Sequence, residues 1–514
     1  MKLKILILTM AAAFLMPLAA SAQTQELIPP FHWTYHLLRS FSDKGLIDEK
    51  VEPGKSAFTQ PQVVSMLVMA LKHVEKEIDK LDSDGLAAMR TLAQSYRPYF
   101  KEAGYDYETI RNDIEMAAMR AGLSAIETND DFSANPKALT VKAASAVNGF
   151  TFDLYGRLAA AQKDKSLFVS PYSVISALSM CYAGARGVTE AQMAKVLFLV
   201  PDIHKNMGAL INELNAVPQD TAQLRAANSI WPAKGTKILP EFSQTVKHWY
   251  NAQMTPLNYK ASPEAARKTI NNWVSKQTNK KIENIIQPGI LTQNTLMVLA
   301  NAVYFKSSWL EEFEPEKSQP RAFWPTPAKS VNVVTMSRTG DKVNYAKLSD
   351  AEMVELPYKD DRFSMIVLLP DKSSNIQTLE KAMNANQFDE WLAAMSPRRV
   401  KIFLPKFKQE NDYELAPVLA ALGMPSAFKA GEANFSGITG ENNIYISNIL
   451  HKTFIEVGEE GTEAAAATAV IMMKMSLPPQ DNDAVVFRAE RPFIYLIKDN
   501  RSGAIIFIGK YTKP

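Results

Sequence analysis

Cysteine is nearly absent: Cys181 stands alone in 514 residues. An internal disulfide is therefore excluded, and so is a zinc site built on clustered thiolates. Cys181 sits in SALSMCYAGA, among small and apolar residues at helical spacing. That is the setting of a buried, inert thiol rather than a nucleophile. The six histidines, His32, His36, His73, His204, His248 and His451, form no HExxH pair. No GxSxG turn and no phosphate-cradling glycine loop occurs either, so an enzyme reading has little to stand on. No catalytic residue, metal or cofactor is expected. The formal net charge is only +3, which asks for neither nucleic acid nor an anionic membrane surface.

A membrane-spanning run is missing as well. Lys2 and Lys4 precede an apolar stretch from Ile5 to about Leu18, which ends in Ala20-Ser21-Ala22. The run is too short to span a bilayer, and its small-x-small end suits cleavage before Gln23. Residues 1–22 thus read as a signal peptide, and no cysteine follows for a lipid anchor. An exported protein is expected, periplasmic, cell-surface or extracellular, from a bacterial envelope. The remaining length suits two or three domains, and 46% hydrophobic with 22% charged residues is ordinary for a soluble globular chain.

Residues 23–138 are compositionally distinct and read as a small helical domain. HWTYHLLRSFSDKGLI predicts a helix with Trp33, Leu37, Leu38 and Phe41 on one face, ended by Gly45. A second helix follows, with Thr59 as its cap and Pro61 in its first turn. Further helices are predicted over Gly85 to Tyr96 and Tyr107 to Gly122, with Ser133 to Lys137 (SANPK) as a linker. Residues 31–72 resemble an S-layer homology module in the HW start, the KGLI ending and the spacing to the second helix. Such modules carry a Thr-Arg-Ala-Glu type signature where this chain has Thr59-Gln60-Pro61-Gln62. The expectation is a spacer or partner-binding domain, with attachment to a cell-envelope component as the alternative.

From residue 139 the pattern is mixed. VNGFTFDLYGRLAA places Phe150, Leu154 and Leu158 at helical spacing, and NTLMVLANAVYFKSSW reads as a strand ending at Lys306. MVELPYKDDRFSMIVLLP reads as a hairpin turning at Lys359 to Arg362, and further strands follow to the C-terminus. Helices come early and strands late without βαβ alternation, which argues α+β with antiparallel sheets. One stretch stands out, Glu459 to Pro479, EEGTEAAAATAVIMMKMSLPP. With period two, Thr462, Ala464, Ala466, Thr468, Val470 and Met472 share an uncharged face, while Glu463 lies on the other face with Ala465 and Ala467. The run could become a central strand; its alanines equally allow a helical turn or an exposed loop.

Residues 139–514 resemble a serpin along their whole length. The runs FVSPYSVISAL, GARGVTEAQM, NWVSKQTNKKI, LANAVYFKSSW, VELPY, MIVLLP, LPKF, ALGM, ANFSGI, HKTFIEVGEEGTEAAAAT, ERPFIYLI and FIGK occur in family order. The resemblance implies three β-sheets, eight or nine helices and an exposed reactive loop over 459–479. It implies a monomeric suicide inhibitor of serine, and by extension cysteine, endopeptidases, trapped as a covalent complex. The hinge would be Glu459, Glu460, Gly461, Thr462, Glu463, Ala464, Ala465, Ala466, Ala467 and Thr468. Family spacing from Glu459 places the reactive bond between Met475 and Ser476, with Lys474 as the alternative specificity residue. Ser170, Ser173, Asn301 and His451 match a buried polar cluster beneath the main sheet, and Trp309 an aromatic where the loop first enters. A different class stays open: a non-inhibitory binding or envelope protein that keeps the fold.

Overall fold

The computed structural model describes residues 33–51, 58–121, 136–217, 222–462 and 484–514. The first four helices are α1 (Trp33–Asp43), α2 (Gln60–Lys76), α3 (Ser83–Ser95) and α4 (Tyr107–Arg120). Gly45, at φ 63°, turns the chain after α1. At the start of α2 the Thr59 N–H donates to Gln62 Oε1 at 2.7 Å, with Pro61 in the first turn. Their apolar faces close a separate core around Leu38, Phe41, Leu67, Met89, Phe100 and Ile114. Val141 of the next helix, α5 (Pro136–Ala161), packs against that core. The segment read as a linker therefore ends inside a helix: Pro136, its ring preset for a first turn, begins α5.

A short strand and three helices follow: β1 (Leu167–Val169), α6 (Pro171–Tyr182), α7 (Gly187–Val196) and α8 (Ile203–Asn215). Next come β2 (Ala222–Pro232), α9 (Pro240–Tyr250), β3 (Gln253–Met254), α10 (Pro263–Gln277) and β4 (Met297–Ser308). The middle of the chain holds β5 (Gln319–Thr326), β6 (Lys329–Lys347), β7 (Ala351–Pro357), β8 (Phe363–Pro370), α11 (Ile376–Ala382) and α12 (Ala385–Ala393). It continues through β9 (Ser396–Pro405), β10 (Phe407–Glu414), α13 (Ala416–Leu422), α14 (Ser436–Thr439) and β11 (Ile449–Val457). The last elements are β12 (Gly461–Thr462), β13 (Val485–Arg488), β14 (Phe493–Asp499) and β15 (Ile505–Tyr511).

The main sheet runs β10-β11-β12-β4-β2-β3, and a second runs β1-β15-β14-β8-β7-β6-β9-β13, with β5 on β6. The fold is α+β and serpin-like. Two of the three implied sheets are continuous in hydrogen bonding, because the 19-residue β6 pairs with β5 along one part and with β9 and β7 along the rest. The expected antiparallel pairing holds for most strands, but β11–β4, β13–β9 and β2–β3 are parallel. VKIFLPKFKQEN is split between the sheets, with Lys406 at the corner between β9 and β10.

The core lies between the sheets. β8 and β15 are buried on both faces, which is why they read as unbroken apolar runs. α6 is buried from Pro171 to Cys181, and Phe150, Leu154 and Leu158 of α5 join it. The Cys181 thiol is fully enclosed, and burial pushes its pKa up to about 12, so it is an inert packing group. Among the described residues no helix is long and apolar enough to cross a membrane.

Candidate functional site

In the main sheet, β4 and β11 pair directly only from Leu299–Ile449 to Val303–Thr453. Beyond that point β12 lies between them. Gly461 faces Ser308 and Thr462 faces Ser307 on β4, while Thr462 also faces Val457 on β11. By sequence alone β4 ends at Lys306; the strand continues through Ser307, which pairs with Ala222 on β2 as well as with Thr462, and through Ser308, which faces Gly461. Gly461 has φ 154°, and a Cβ there would lie 2.2 Å from the Ser307 carbonyl oxygen, so only glycine fits so close to β4.

Thr462 is wholly buried, with Oγ1 2.6 Å from Tyr358 Oη. The Tyr358 ring stacks on Trp309, centroids 4.5 Å apart at 12°. Trp309 Nε1 donates to the Gly458 carbonyl at 2.9 Å, and its backbone N–H to that of Glu460 at 2.8 Å. The Phe313 N–H reaches the Glu459 carbonyl at 2.9 Å. The Glu459 carboxylate pairs with Lys406 at 2.8 Å. Burial pushes that carboxyl upward, but hydrogen bonds led by Lys406 outweigh it and hold Glu459 below the usual range. Trp309, Glu459, Glu460, Gly461 and Thr462 are thus one assembly at the parting of β4 and β11.

The polar cluster sits where those strands still pair. His451 is directly opposite Asn301 in the β11–β4 register. Its Nε2 accepts the Ser170 N–H at 3.1 Å, so the proton is on Nδ1 and is donated to Asn301 Oδ1 at 2.5 Å. Asn301 Nδ2 approaches Ser173 Oγ at 2.5 Å, the Ser173 carbonyl at 2.8 Å and Asn228 Oδ1 at 2.6 Å. Ser170 Oγ donates to the Ile506 carbonyl at 2.7 Å and accepts the Ser173 N–H at 3.3 Å. The cluster therefore joins β4 and β11 to the start of α6 and to β15. Burial drives the His451 pKa down to about 3, so the ring is neutral with both nitrogens engaged. Such a group holds strands together; it has no free atom for acid–base work.

Glu463, Ala464, Ala465, Ala466, Ala467, Thr468, Lys474, Met475 and Ser476 lie outside the described residues. The structure adds Tyr358, Lys406, Asn228, Ser307 and Ser308 to the site. Tyr358 ends the run VELPY and Lys406 lies inside LPKF, but nothing local tells a tyrosine that it will meet a hydroxyl 104 residues away.

A family model described as Serpin (serine protease inhibitor) matches residues 145–514, leaving α1–α4 outside it. The leukocyte elastase inhibitor of Xenopus tropicalis is 37% identical over 378 residues, covering 72% of this chain and 99% of its own. A serpin-like protein of Methanosarcina acetivorans is 35% identical over 378 residues, 72% of this chain and 86% of the relative. Uncleaved ovalbumin, a solved structure, superposes with a TM-score of 0.65 at 31% identity over 72% of this chain and 99% of that one. Its fold, the order of its motifs and these relatives agree, and the chain belongs to the serpin family.

Proposed function

We propose that this serpin is a suicide inhibitor of serine endopeptidases, and of cysteine endopeptidases as a second class. A protease would cut the loop as substrate, forming an acyl-enzyme on the residue before the scissile bond. The freed strand would then insert between β4 and β11 and carry the protease along, roughly 14 residues at about 3.3 Å each. Distortion of the protease must precede deacylation, so the outcome is a race between insertion and hydrolysis. The observation that carries this reading is β12: Gly461 and Thr462 already occupy the slot that a full strand would fill. Below them only the five-residue β4–β11 pairing would need to part. The inhibitory relative named above supports the same class of activity.

Cleavage after Met475 would suit elastase-, chymotrypsin- or subtilisin-like pockets, and cleavage after Lys474 trypsin-like ones. We further infer export by residues 1–22, bacterial origin, action as a monomer and a spacer or envelope-attachment role for the N-terminal helices. The test mixes mature protein with elastase, subtilisin and trypsin in turn, followed by denaturing electrophoresis and intact-mass analysis. A denaturation-resistant complex is expected, and the released C-terminal peptide names the cut bond. Clean cleavage without complex would overturn inhibition and favour a binding protein on the same fold.

A further inference from the structure

A cleft of about 600 Å³ opens beside the segment that leads from β13 into β14. That volume is within the range of small-molecule sites. Its apolar wall is Trp324, Pro327, Pro370, Ile376 and Pro492. On β5, Phe323 is buried against Tyr511, and strand alternation turns Trp324 to the opposite face, where it is 42% exposed. A half-exposed indole flanked by prolines is a flat apolar surface with little freedom to collapse, because proline fixes its own φ. The two walls are tied together: the Trp324 N–H donates to the Glu490 carbonyl at 2.7 Å, and Arg491 Nε to the Pro370 carbonyl at 2.7 Å. The cleft is preformed, which lowers the ordering cost of binding.

Its charged lining is unequal. Lys163, Lys372, Arg491 and Lys513 stand against Asp164 and Glu490. Glu490 is taken by Lys372 at 2.9 Å, which leaves the balance positive. Lys163 and Lys513 are exposed at the rim, whereas Arg491 is partly buried and desolvation lowers its pKa. An anion entering here would meet cations at the edge and apolar surface at the floor.

We propose that this cleft binds a hydrophobic organic anion, an aromatic or alicyclic carboxylate or sulfonate whose ring system stacks on Trp324. The probe is 1-anilinonaphthalene-8-sulfonate, titrated calorimetrically into the full mature chain beside its uncharged analogue N-phenyl-1-naphthylamine. One saturable site is expected for the sulfonate, with the neutral analogue at least about tenfold weaker. Trp324→Ala should weaken the sulfonate by about tenfold or more. The exposed pair Lys163→Glu and Lys513→Glu should weaken the sulfonate several-fold and leave the neutral analogue unchanged, with no demand on the fold. Absence of a saturable site overturns the proposal. So does sulfonate binding that survives Trp324→Ala, or a neutral analogue that binds equally well.

Discussion

A hydroxyl enclosed in a sheet needs a partner, and Thr462 has one in Tyr358. The same enclosure leaves no room for a charge. A guanidinium placed at Thr462 would have to be desolvated without a counter-ion before insertion could advance, a cost of several kcal/mol. Thr462→Arg is therefore expected to shift the protein from trap to substrate. Most of the chain should appear as cleaved product rather than complex on a denaturing gel with a reactive protease. Unchanged complex yield would remove Thr462 from the insertion path. At this scale the sequence was most legible where a residue repeats a spacing. Phe150, Leu154 and Leu158 enter the core as their helical period requires. It was least legible where a residue meets something distant: Glu459 finds Lys406 across the sheets, and neither has a neighbour in sequence that announces it.

Among elements, the β4–β11 seam is the part that the proposed activity would require both to hold and to open. His451 and Asn301 face each other across it, so a strand inserted between them would separate the pair by one further strand spacing, about 5 Å. The His451 pKa, held near 3 by burial, lies below the ordinary value of 6.5. A group shifted this way favours the closed, neutral state fully above pH 6.5, and that advantage is lost as pH falls from 6.5 toward 3. The urea midpoint of the intact protein should fall across that window, and His451→Asn should flatten the dependence. An identical pH profile in the variant would assign the acid sensitivity elsewhere. The element order was readable from apolar runs and turn residues, as in the hairpin of β7 and β8. The parallel pairs were not, because parallel and antiparallel partners bury the same residues and differ only in backbone direction. The last two residues of β4 escaped for a related reason: Ser307 and Ser308 are in the strand by virtue of their backbone partners Ala222, Thr462 and Gly461, not of their own side chains.

For the molecule as a whole, the proposed activity implies an intact form that is not the most stable one. A cleaved loop that adds a strand gains up to about 1 kcal/mol for each net hydrogen bond, besides burying its uncharged face. Cleavage of the loop without complex formation is expected to raise the thermal midpoint by about 10 °C or more in a calorimetric scan. A midpoint that stays in place would mean that the cut strand does not enter the sheet. The short β12 gives this transition a particular kinetic shape. Starting a strand inside a closed sheet requires separating neighbours before any new pair is made, a barrier akin to nucleation. Here Gly461 and Thr462 have already made the first pairs on both sides. Under the proposed activity, what would remain after cleavage is propagation from a nucleus that exists at rest, one pair at a time down the seam. The trap's speed should then depend on how readily β4 and β11 unzip, and hardly at all on how the first residue finds its place.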